Sequence, residues 1–145
     1  MNIIKVKLLH PDARIPTYAT DGSGAFDFYT PEAHTLMAGQ TCVIPLGIAV
    51  EIPTDHTLLI FSRSGHGFKN DMRLSNCTAV IDSDYRGEIK IKLKSDQHSS
   101  YSMNEFNVGD RVAQGILFHT PQVSFEVVNE LSETERGNSG FGSTG

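Results

Sequence analysis

Three short segments hold more polar chemistry than their surroundings require. The first is FSRSGHG, residues 61–67, at the end of the apolar run TLLIF. An arginine, two serines and a glycine at a strand end offer a fork-shaped cation, hydroxyls and open backbone N–H groups, the equipment for gripping a phosphate. An ordinary polar turn with a solvated arginine uses the same letters. The second is NCTAVIDSDYRGEIKIK, residues 76–92. Val80 and Ile81 end an apolar run, Asp82 to Gly87 make a turn and the next strand starts at Glu88, so the segment reads as a β-hairpin. Asp and Gly are what tight turns use. A carboxylate at a strand end beside a pocket can also orient and deprotonate a water, since an aspartate with an unperturbed pKa of about 3.9 is ionised at neutral pH. The residues alone leave turn and base open. The third is SGAFDFYT, residues 23–30, where Asp27 alternates with Phe26 and Phe28. It reads either as the solvent side of an amphipathic strand or as a holder of water around a polyphosphate-bound Mg²⁺.

The elements that position these segments are strands. EIKIKLK (88–94) sets Ile89, Ile91 and Leu93 on one face and charged residues on the other, a half-buried strand. IIKVKLL (3–9), AFDFY (25–29), GIAVEI (47–52), TLLIF (57–61), RVAQGILF (111–118) and VSFEVV (123–128) are further β-rich runs. Turn chemistry in TDGSG, MAGQ, PTDH, SDYRG and NVGD separates them. Many short strands between such turns predict one all-β domain over residues 1–135, a sandwich, jelly roll or barrel. GHGFKND (65–71) has room for one helical turn. Residues 136–145, RGNSGFGSTG, have no apolar period and read either as a frayed tail or as a mobile lid.

Composition narrows the function classes. A chain of 145 residues is the size of one domain. The formal net charge of −5 argues against broad nucleic-acid or anionic-membrane binding, which need a basic face. Local arginines can still bind an anionic small molecule, because fields fade over about 8 Å at physiological salt. Cys42 and Cys77 lie far apart and outside any C-x-x-C pattern, which fits a reduced cytosol. No run approaches the ~20 apolar residues of a membrane span, and the N-terminus lacks a signal-peptide core. A cytoplasmic protein is expected.

Taken together, the segments resemble the five ordered motifs of the homotrimeric dUTPases: DGSGAFDFYT, SRSG, AVIDSDYRGEI, GDRVAQGILF and RGNSGFGSTG. The resemblance implies a jelly-roll-like β subunit in a homotrimer with active sites at subunit boundaries, dUTP as substrate and Mg²⁺ on the triphosphate. It makes Asp82 the base that activates the attacking water. Arg63, Ser64 and Gly65 would grip phosphates, Gln114 would support the phosphate and metal-water network, and Asp27 would accept a hydrogen bond from metal-bound water. Asn76 and the backbone near Val80 and Lys90 would read uracil, and Tyr85 would pack on deoxyribose. In the lid, Arg136 would pair with the γ-phosphate and Phe141 stack on uracil, while Gly142, Ser143 and Thr144 donate hydrogen bonds. The sequence departs from the family pattern at Ser62, His66, Gly24-Ala25, Ala79 and Ser139, none of them a reacting group. His66 reads as a bland loop residue. The competing readings are a dCTP deaminase, whose family resembles this one, and a non-catalytic dUTP-binding signalling or assembly protein.

Overall fold

The computed structural model describes residues 3–98, 102–140 and 142. Twelve strands and one short helix follow in the order β1 (Lys5–Leu8), β2 (Thr17–Tyr18), β3 (Phe26–Tyr29), β4 (His34–Met37), β5 (Thr41–Pro45), β6 (Ile48–Glu51), β7 (His56–Phe61), α1 (Ser64–Asn70), β8 (Met72–Leu74), β9 (Thr78–Ile81), β10 (Lys90–Ser95), β11 (Met103–Phe106) and β12 (Arg111–His119). The largest sheet has the order β2-β3-β12-β7-β9. A second holds β5-β10-β8, and β1-β6 and β11-β4 form two-stranded ladders. The described strand pairs are antiparallel throughout.

Alternation explains why these segments become strands. In β10 and its lead-in, Ile89, Ile91 and Leu93 are buried while Lys90 and Lys92 face water. Their apolar face joins a continuous core with Phe28, Ile44, Leu58, Ile60, Leu74 and Val112. The central strand β12 lies between β3 and β7, and Gly115 sits where its neighbours close in. A Cβ there would come within 2.6 Å of the Phe28 ring and 2.8 Å of the Phe26 ring. Glycine is therefore required by packing at this position.

Three sequence expectations change. Residues 76–92 do not form a hairpin: β9 pairs with β7, whereas β10 pairs with β5 and β8. Ile89 accepts from the Leu46 N–H and donates to the Ile48 carbonyl, which ties the start of β10 to the β5–β6 turn instead of to β9. Residues 82–89 thus cross from one sheet to another. VSFEVV forms no strand and pairs with none of the described strands; Phe125 is 95% exposed and Val127 fully so. GHGFKND, by contrast, becomes most of α1, which Asp71 stops in the left-handed region at φ 46°.

Candidate active site

The phosphate-loop candidates lie where β7 ends and α1 begins. Arg63 is the residue before the helix, in extended conformation. Its Nε donates to Asp27 Oδ1 at 2.9 Å, and Arg111 Nη1 donates to the other carboxylate oxygen at 3.3 Å. Two neighbouring strands make this possible: Asp27 on β3 faces Gln114 on β12, and an irregularity between Arg111 and Ala113 re-aims the start of β12. Gln114 Nε2 donates to the Ser62 carbonyl at 3.0 Å, and the Ser62 hydroxyl accepts from the Leu74 N–H. Ser62, Arg63, Ser64, Gly67, Phe68 and Gln114 surround a pocket of about 510 Å³. Beside it, Gly65 has open space where a Cβ would project, so its backbone can be approached closely.

Asp27 is not on a solvent face. It is 7% exposed, because the side of β3 turned away from Phe26 and Phe28 is covered by the two arginines. With Arg63 on one oxygen and Arg111 on the other, its geometry is that of an arginine anchor. Arg111 was legible only as part of a motif. What assigns it a partner is the β3–β12 register.

The acidic candidates gather elsewhere on the chain. Asp82 leaves the end of β9 and is exposed, as is Val80, which the sequence suggested was buried. Val80, Asp82, Tyr85, Glu88 and Lys90 line a pocket of about 370 Å³. The Tyr85 hydroxyl donates to the Glu88 carbonyl at 3.0 Å, fixing the ring across the connection. Gly87 leaves room for that ring: a Cβ would lie within 2.6 Å of Tyr85 Cζ. A neighbouring pocket, also about 370 Å³, is lined by Asn76, Ala79 and Lys90, so Lys90 borders both. Ala79 fits without strain, packed against the core.

The pocket that holds Asp82 contains neither Arg63 nor Gln114, and the pocket that holds Arg63 contains no part of residues 80–90. The chain carries the two groups of residues in separate pockets. In the C-terminal segment, Arg136 is exposed and its Nε donates to the Ser139 carbonyl at 3.0 Å. Ser139 is not among the described non-glycine residues with positive φ, which are Asp71 and Cys77, so serine there carries no left-handed strain. Gly142 has φ 90°, where glycine is favoured. Phe141, Ser143 and Thr144 lie outside the described residues.

His66 is the residue that sequence reasoning placed wrongly. It is 9% exposed, its ring meeting Phe106 edge-on at 5.7 Å between centroids. Burial, and then the Arg63 charge, push its pKa below the usual histidine value. The glycines on either side gave no apolar period that might have marked it as buried.

Among the described residues no group of three or more His, Cys, Asp or Glu converges as a metal cage. No described helix is long and apolar enough to cross a membrane.

The chain is thus an all-β protein that sets an arginine-serine-glycine loop apart from an acidic, tyrosine-lined pocket. The dUTPase family model matches residues 11–145, and the chain belongs to that family. It is 36% identical to a deoxyuridine 5'-triphosphate nucleotidohydrolase of Helicobacter pylori (strain P12), covering 98% of this chain and 96% of that one. It is 41% identical to the Legionella pneumophila (strain Paris) protein of the same name, covering 99% and 97%. Among solved structures it is similar to the Staphylococcus bacteriophage 80alpha dUTPase with dUPNHPP, with TM-score 0.92, 27% identity and coverage of 100% and 99%. The all-β fold matches that of a phage phi11 dUTPase variant, described with a structural Mg(II) ion, at TM-score 0.84 and 24% identity over 91% of this chain and 100% of that one.

Proposed function

We propose that the chain hydrolyses dUTP to dUMP and pyrophosphate, which keeps uracil out of DNA and supplies dUMP for dTMP synthesis. The observation that carries this is the tyrosine-lined pocket holding Asp82 on a chain of the dUTPase family. Asp82, exposed at the edge of that pocket, takes a proton from a water whose oxygen attacks the α-phosphorus. The bond from that phosphorus to the bridging oxygen breaks, and its electron pair leaves with pyrophosphate. Arg63, held by Asp27, keeps its terminal N–H groups for phosphate oxygens, with Ser64 and the Gly65 backbone beside it. Gln114 fixes the loop through Ser62. A Mg²⁺ ion, when bound on the triphosphate, supplies charge neutralisation and orientation. Asp27 would touch its water shell only as a third partner of a carboxylate already shared by two arginines.

The nucleoside would lie along residues 76–90. Asn76 and the backbone at Val80 and Lys90 border the pockets suited to a flat pyrimidine edge. Tyr85, braced by Glu88 and given room by Gly87, would pack on deoxyribose and leave no space for a 2′-hydroxyl. Offering dUTP, UTP, dTTP and dCTP with Mg²⁺ and identifying the products tests this. Pyrophosphate from dUTP alone supports it, whereas ammonia from dCTP would establish the deaminase in its place.

A homotrimer with shared sites explains why the acidic and cationic halves lie apart: a partner copy would bring its own residues 76–90 to this chain's phosphate loop. The exposed 123–131 segment, with Val123, Phe125, Val127 and Leu131 in water, is suited to lie on a neighbouring copy. Residues 136–145 would close over the nucleotide of such a shared site. Arg136 would meet the γ-phosphate and Phe141 the uracil, with Gly142, Ser143 and Thr144 as donors. Truncation after Glu135 is expected to lower kcat/KM by about 10²-fold or more, the scale of losing water exclusion and a phosphate arginine. Circular dichroism should show the fold intact; a fully active truncation would reduce the segment to a tail. Two free cysteines fit a cytoplasmic setting.

A further inference from the structure

His66 sits three residues beyond Arg63, and the hydrolysis described above leaves it without a task. Its Nδ1 is buried and has no hydrogen-bond partner among the described residues. Arg63, His66, Asn104, Asp110 and Arg111 line one cavity of about 390 Å³ behind the phosphate loop. The charged groups around the ring come from every side. Arg63 precedes α1 and Arg111 opens β12; Asp27 lies on β3, Glu105 on β11 and Asp110 in the turn before β12. Met72 and Phe106 supply the apolar walls. Burial opposes a positive charge on the ring most strongly and Arg63 opposes it next, while Asp110 and Asp27 favour it. The ring is therefore uncharged at neutral pH.

We infer that His66 is a proton-linked partner of the phosphate site: an anion that neutralises Arg63 draws a proton from solvent onto the His66 ring, adding a positive charge behind the phosphates. This rests on the reading of Arg63 as a phosphate grip. Bound phosphate offsets one of the two influences that keep the ring neutral and leaves Asp110 and Asp27 in place. Burial persists, so the uptake is fractional. By linkage the effect is reciprocal: protonated His66 strengthens anion binding by the same factor that the anion strengthens protonation. His66 acts here through Arg63 and is a positioning residue.

Calorimetry of the full chain with inorganic pyrophosphate, and with the non-cleavable imido analogue of dUTP, tests this at about pH 6 in buffers of different ionisation heat. The wild type is expected to take up about 0.3–0.5 more protons per site than His66→Leu or His66→Gln, the protonation of the ligand being common to all three. Between about pH 8 and about pH 6 its affinity should rise about 3–10-fold more than theirs. If neither variant folds, the wild-type His66 ring, followed by NMR, should titrate at higher pH with pyrophosphate than without. Equal proton uptake in all three proteins, or an NMR titration that pyrophosphate leaves in place, would overturn the inference alone. Failure of the wild type to bind either ligand would remove the phosphate-site reading and this inference with it.

Discussion

Replacing Asp82 by asparagine is expected to lower kcat by about 10²–10⁴-fold, the usual contribution of a positioned general base. Affinity for the imido analogue of dUTP should stay within about threefold of wild type, because the amide keeps the shape and one acceptor oxygen while losing the basic site. The expectation rests on where Asp82 stands. It is exposed at the end of β9, in a pocket whose other walls are Tyr85, Val80 and Lys90, so its loss disturbs no packed interior. Single-turnover rates with dUTP, measured beside analogue binding, separate chemistry from grip. Hydrolysis by Asp82→Asn at near the wild-type rate would remove Asp82 from the mechanism.

The second large effect is expected at Asp27. Its carboxylate is 10% exposed at the side chain and receives both Arg63 and Arg111. Asp27→Ala leaves two cations facing each other without their shared counter-charge. Breaking a buried pair by removing one partner costs about 3–5 kcal/mol, and the half-exposed Arg111 puts this case near the lower end. For a chain of this size about 3 kcal/mol lowers Tm by about 6–12 °C. The same change frees Arg63 from its orientation, so KM for dUTP should rise about tenfold or more even below the melting range. Asp27→Asn, which keeps an acceptor for Arg63, should fall between the two in both measurements. A variant with unchanged Tm and KM would show that Arg63 is oriented by something other than Asp27.

The strands with a clean two-residue period were legible because burial on one face is all that such a pattern encodes. β10 is the example, its Ile91 and Leu93 alternating with lysines. Pairing was less legible. Nothing in AVIDSDYRGEIKIK says that β9 leaves for β7, because a turn-rich connection between sheets and a hairpin turn use the same residues. VSFEVV shows the opposite limit: its β character is plain, yet a strand needs an edge to pair with, and it joins none of the described sheets. At the site, residue types were readable and partners were not. Arg63 and Asp27 were both suspected, but their contact spans 36 positions and depends on β12 bringing β3 and the end of β7 to its two sides. His66 was hidden because glycines flank it and its burial comes from β11, far along the sequence.

The uncovered ribbon from Val123 to Leu131 has a consequence for how this protein is made. A newly synthesised copy that has finished its own sheets still displays three valines, a phenylalanine and a leucine to solvent, each worth up to about 1.5–3 kcal/mol once removed from water. In the homotrimer proposed above, such a chain is sticky until it meets its own kind. In that proposed assembly, native stability is a property of the population as well as of the molecule, rising with concentration and lost on dilution.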